Sequence, residues 1–62
     1  MIQVHSLRRA GEDLFVLEYT DPNHPDHATN TIFTGSEQQV RDLMAAGGLT
    51  HEEIDEWFQN AV

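Results

Sequence analysis

The stretch Gly47-Gly48-Leu49-Thr50-His51-Glu52-Glu53-Ile54-Asp55-Glu56-Trp57-Phe58 sets the strongest limit on how this chain can fold. Thr50 and Glu53 form a T-x-x-E capping box, so a helix begins at His51 and runs to about Asn60. Ile54, Trp57 and Phe58 recur at i, i+3 and i+4 and make one apolar face. Glu52, Glu53, Asp55 and Glu56 occupy the rest, with no Lys or Arg among them. The apolar face must be buried against something built earlier in the chain, and the outer face is left as an acidic strip.

A second helix precedes it. Ser36-Glu37-Gln38-Gln39 has the S-x-x-Q form of a capping box, with Thr34 to Glu37 as a competing start. Val40, Leu43 and Met44 supply its apolar face. Glu37 and Arg41 form an i, i+4 pair in the favoured order. Gly47 or Gly48 provides the left-handed residue that stops this helix, and Leu49 is expected to fold back over the stop.

Upstream the period changes from helical to alternating. Ile2 to Leu7 reads as a strand, and Arg8 to Asp13 as a turn in which Gly11 supplies a positive φ. Leu14 to Thr20 is the strongest strand. Phe15, Leu17 and Tyr19 face one side, and Leu14 and Val16 add apolar surface to the other, which predicts a central position. Asp21 to Ala28 holds both prolines and reads as a loop. Thr29 to Thr34 is the third strand, with Phe33 rather than Ile32 assigned to the interior for its larger area.

The expectation is a single α+β domain over residues 1–62, in the order β-β-β-α-α. A small three-stranded antiparallel sheet packs on a C-terminal helical hairpin. The expected core is Ile2, Val4, Phe15, Leu17, Tyr19, Phe33, Val40, Leu43, Met44, Leu49, Ile54, Trp57 and Phe58. At 62 residues such a domain buries only about 60% of its unfolded surface and lies near the lower limit for independent folding. The chain has no cysteine, so disulfides and cysteine zinc sites are excluded, in keeping with a reducing compartment. No apolar run approaches the ~20 residues of a membrane span, and no signal-peptide core follows Met1. A cytoplasmic location is expected.

Charge narrows the function classes. The net charge is −8, with eleven acids and three bases. From Glu12 onward Arg41 is the only base against all eleven acids. Such a chain repels nucleic acid and anionic membrane and attracts basic partners. The two helices joined by Gly-Gly-Leu-Thr imitate a helix-turn-helix, but the second carries four acids and no base, which opposes DNA phosphates. Ala46 to Ile54 is similar to the helix–Gly-x-x-Thr-x-Glu-Glu–helix of short SHOCT-type oligomerisation modules. Those continue with basic residues, which this chain lacks, so no family is assigned.

Catalytic signatures are missing. There is no cysteine nucleophile, Ser6 and Ser36 lie outside any nucleophile elbow, and no glycine-rich loop cradles a phosphate. We expect no enzyme and no cofactor. His24-Pro25-Asp26-His27, with Asp21 nearby, is the one segment with metal-ligand residue types. His24 and His27 are the candidate ligands of a metal-binding alternative, with a solvated turn as the simpler reading. His51, at the helix start, is read as part of that terminus.

The leading expectation is a small protein-interaction module, of the kind used by bacterial or phage regulators and inhibitors. It docks on a basic protein partner through Glu52, Glu53, Asp55 and Glu56, with Glu37 and Asp42 on the preceding helix. The alternative is a structural or homo-oligomerising domain. A weak homodimer is expected through an unpaired sheet edge.

Overall fold

An irregularity in the first strand sets the core. The computed structural model describes residues 1–27 and 29–62, without the side chain of His27. β1 (Gln3–Gly11) pairs antiparallel with β2 (Leu14–Thr20), which pairs antiparallel with β3 (Thr31–Gly35). The strand order is β1-β2-β3, so β2 is central, as its two apolar faces predict. The register steps from Val4↔Tyr19 to Ser6↔Glu18, leaving His5 as an extra residue. This bulge reverses the alternation beyond it. Val4, Leu7 and Arg9 therefore stand opposite Tyr19, Leu17 and Phe15. Leu7, which unbroken alternation from Ile2 would point outward, is buried.

The first turn is tighter than expected. β1 continues through Arg8, Arg9 and Ala10, and only Glu12 and Asp13 form the turn. Gly11 does not adopt a positive φ; among the described residues only Gly48 does, at 100°. A second register shift between Arg9 and Gly11 adds local twist, which a two-residue turn otherwise obtains from positive φ.

Two helices cover one face of the sheet. α1 (Glu37–Ala46) starts from a complete Ser36–Gln39 capping box, so the Thr34 start is not used. A carboxylate from the hairpin tip adds to this cap: Asp13 Oδ1 accepts the Glu37 backbone N–H at 3.1 Å. The helix ends in a Schellman motif. Gly48 N–H donates to Ala45 O and Leu49 N–H to Met44 O, both at 3.1 Å, and Leu49 packs against the core. α2 (His51–Gln59) starts from the Thr50–Glu53 capping box.

Leu17, Val40 and Met44 are completely buried, with Ile2, Leu7, Phe15, Tyr19 and Ile54 around them. Val4, Phe33, Leu43, Leu49, Trp57 and Phe58 pack on this centre but keep partial exposure, and Ala61 joins them. Phe33 does face inward, and Ile32 is 66% exposed on the open face of the sheet. Trp57 is peripheral because α2 buries itself mainly through Ile54. Phe15 and Phe58 make an edge-to-face pair with centroids 5.0 Å apart. A Cβ on Gly47 would lie 2.6 Å from Ile2 Cγ1. The bare glycine backbone lets Ile2 sit against it, and Ile2 N–H donates to Gly47 O at 2.8 Å. Among the described residues no helix is long and apolar enough to cross a membrane.

Candidate interaction surface

The acidic residues fall into two groups with different chemistry. The first surrounds Arg41, on the α1 face that meets α2. Arg41 Nε donates to Glu37 Oε2 at 2.9 Å, and Nη1 donates to Asp55 Oδ1 at 2.7 Å. The guanidinium also stands over the Phe58 ring, 4.6 Å from its centroid. Hydrogen bonds to Asp55 and then Glu37 raise the Arg41 pKa above its ordinary value, against a smaller opposing effect of burial. The Arg41 hydrogen bond holds the Asp55 carboxyl below the ordinary range, with His51 adding a smaller Coulombic contribution. His51 Nε2 is 3.5 Å from Asp55 Oδ2, so Asp55 lies between two basic groups when His51 is protonated.

Beside this cluster is an open cleft of about 260 Å³ lined by Arg9, Phe15, Glu37, Arg41, Asp55 and Phe58. Arg9 stacks over Phe15, 5.1 Å from the ring centroid, and its Nη1 donates to Glu12 O at 3.1 Å. The two arginines thus form cation–π lids over the two rings of the edge-to-face pair. The carboxylates in the cleft offset their charge.

The second group faces solvent. Glu52, Glu53 and Glu56 on α2 and Asp42 on α1 are exposed. None makes an ion pair among the described residues. Glu53 works partly for its own helix: its Oε1 accepts the Thr50 N–H at 2.9 Å. Hydrogen bonding to Thr50 holds its carboxyl below the ordinary range. Asp42 Oδ1 accepts from Gln38 Nε2 at 2.9 Å. Glu52 and Glu56, four residues apart, lie on one side of α2, and their carboxylates make no hydrogen bond among the described residues, although the Glu56 carbonyl accepts from Asn60 Nδ2 at 3.0 Å. Of the six acids read from sequence as one surface, Glu37 and Asp55 are thus engaged with Arg41. Glu52, Glu53, Glu56 and Asp42 project outward.

The loop between β2 and β3 is organised by its own polar groups. Asn23 N–H donates to Asp21 Oδ1 at 3.0 Å, and Asp26 N–H donates to His24 Nδ1 at 3.3 Å. Pro25–His27 form one 3-10 turn. The side chain of the other candidate ligand, His27, lies outside the described residues, as does Ala28. Among the described residues no group of three or more His, Cys, Asp or Glu side chains is arranged to hold a metal ion. Asn30 ties the loop to the sheet, donating to Glu18 Oε2 at 2.8 Å and accepting from Thr20 Oγ1 at 3.4 Å.

The chain is a small α+β domain in which an open antiparallel meander is covered on one side by a helical hairpin. No protein-family model matches it, and neither the curated proteins nor the solved structures contain a match. The functional reading therefore rests on its surface chemistry.

Proposed function

We propose that this domain is a protein-interaction module, a regulator or inhibitor in type, that docks on a basic protein partner through the outer side of α2. The observation that carries this reading is the division of the acids. Arg41 is occupied by Glu37 and Asp55, whereas Glu52 and Glu56 project from α2 without a counter-ion among the described residues. Carboxylates held on a capped helix keep their spacing, and their combined field steers a basic surface toward them. Glu53 and Asp42 extend the same field. The proposed location is cytoplasmic, and no catalytic role is assigned.

The test is capture from lysate of the source cells by wild type and by Glu52→Lys/Glu56→Lys, each at low and high salt. Both positions are exposed, so the variant should melt within about 0.5 kcal/mol of wild type. Salt-sensitive capture of the same basic protein by wild type, lost in the variant, is the expected result. Equal capture by both proteins at both salts would overturn the proposal.

A further inference from the structure

We infer that β3 is a docking edge for the β3 strand of a second copy of this chain, joining two sheets into one about a two-fold axis at Phe33. The inference is independent of the acidic face and rests on the unequal treatment of the two sheet edges.

The β1 edge is protected. Its free side is closed at both ends by the fold's own backbone, Ile2 N–H to Gly47 O and Arg9 N–H to Val62 O, each at 2.8 Å. It is also broken by two register shifts and carries Arg8 and Arg9. Closure, bulges and charges are the usual defences of an edge strand. β3 has none of them. Thr31–Gly35 pairs with β2 in unbroken register and contains no charge and no proline. Its side chain Ile32 is 66% exposed.

The direction of the free backbone groups on β3 follows from one bond. Arg9 N–H points away from β2, toward Val62. In an antiparallel ladder, hydrogen-bonded and non-hydrogen-bonded pairs alternate. Arg9↔Phe15 is therefore a non-hydrogen-bonded pair and Arg8↔Val16 a hydrogen-bonded one. The Val16 backbone groups thus face β1, and those of Leu17 face β3. Leu17 is opposite Phe33, so Phe33 bonds inward to β2. The N–H and C=O groups of its neighbours Ile32 and Thr34 point to the open edge. Among the described residues no other backbone group meets them.

That pattern is self-complementary. With Phe33 of one copy opposite Phe33 of the other, Ile32 of each copy stands opposite Thr34 of the other. The outward N–H and C=O of each meet their counterparts, and no backbone group on either strand is left facing its own kind. The same register places both Ile32 side chains on the open face, diagonal to one another and within reach. A second copy fits because this strand brings no charge to the seam in a chain of net charge −8. Repulsion between copies then comes only from more distant acids, which salt screens over about 10 Å at 0.1 M.

Sedimentation equilibrium of the intact chain at high micromolar concentration, in 0.05 M and 0.5 M salt, tests the inference. The expected result is a monomer–dimer equilibrium whose dimer fraction rises with salt, the opposite sign to docking on a basic partner. Amide exchange fixes the register: at 90% dimer, Ile32 and Thr34 amides should exchange roughly tenfold more slowly than in dilute monomer, since only the monomer exposes them. The Phe33 amide should change little. Ile32→Lys, at an exposed position, should reduce the dimer fraction while leaving the melt of dilute protein unchanged. Thr34→Pro, which deletes one outward N–H, should do the same and serves as a second variant. A strict monomer at both salts would overturn the inference. So would a dimer that leaves Ile32 and Thr34 exchange unaltered or persists undiminished in both variants.

Discussion

Arg41 Nη1 lies 2.7 Å from Asp55 Oδ1, and this bond ties the middle of α1 to the middle of α2. It uses the only Lys or Arg after Arg9 to hold the helical hairpin, and Glu37 joins from the preceding turn of α1.

The pair makes stability depend on pH in the acid range. The carboxyls of Asp55 and Glu53 are held below their ordinary values of 3.8 and 4.5. The folded state therefore binds fewer protons than the unfolded chain over that interval. The stabilisation is fully present above the unfolded values and is lost as pH falls through the lowered ones. Urea midpoints from pH 7 to pH 2 should be level above about 5 and decline below it. Asp55→Asn should flatten part of that decline. Parallel acid limbs for wild type and variant would show that Asp55 does not contribute to it.

The centre of the core carries more stability than its largest side chain. Leu17 is completely buried on the central strand, and Leu17→Ala should cost about 3–4 kcal/mol. The sequence places Trp57 in the core, on the apolar face of the closing helix, yet it is only partly buried. Trp57→Ala should accordingly cost about 2 kcal/mol. Chemical denaturation of both variants checks the order, and a larger loss at Trp57 would contradict it.

The paired glycines at the helix stop should fail for different reasons. Gly48 has φ 100°, and Gly48→Ala should cost about 1–2 kcal/mol from backbone strain alone. Gly47 has negative φ, but a Cβ there collides with Ile2. Gly47→Ala should therefore be relieved in part by Ile2→Ala, whereas Gly48→Ala should not. A double-mutant cycle with denaturant midpoints measures this coupling. Strict additivity at Gly47 and Ile2 would refute the steric account.

The order of elements, the central strand, both capping boxes and the inward Phe33 are legible in the sequence because each depends on local spacing. Leu7 is not legible. Its burial requires the bulge at His5, which no alternation of residue types announces. The hairpin turn is misread for a related reason, since Gly11 suggests a positive φ that the strand does not use. The surface is partly legible. The i, i+4 spacing of Glu37 and Arg41 is visible, but Asp55 reaches the same guanidinium only after α2 folds back. Asp13 likewise meets the start of α1 across the fold. Counting acids along the chain therefore overstates how many are available outside it.

The contact between Ile2 and Gly47 also limits how sequences with this fold can diverge. The two positions are far apart in the sequence, yet a side chain at 47 collides with Ile2 and is accommodated best where position 2 is smaller. A glycine at 47 leaves position 2 free to keep a branched residue. These positions should vary together rather than separately, joined to a strand-one bulge and a Ser-x-x-Gln, Gly-Gly-Leu-Thr-x-x-Glu spacing. That combination is a geometric signature by which distant members could be recognised after overall identity has faded.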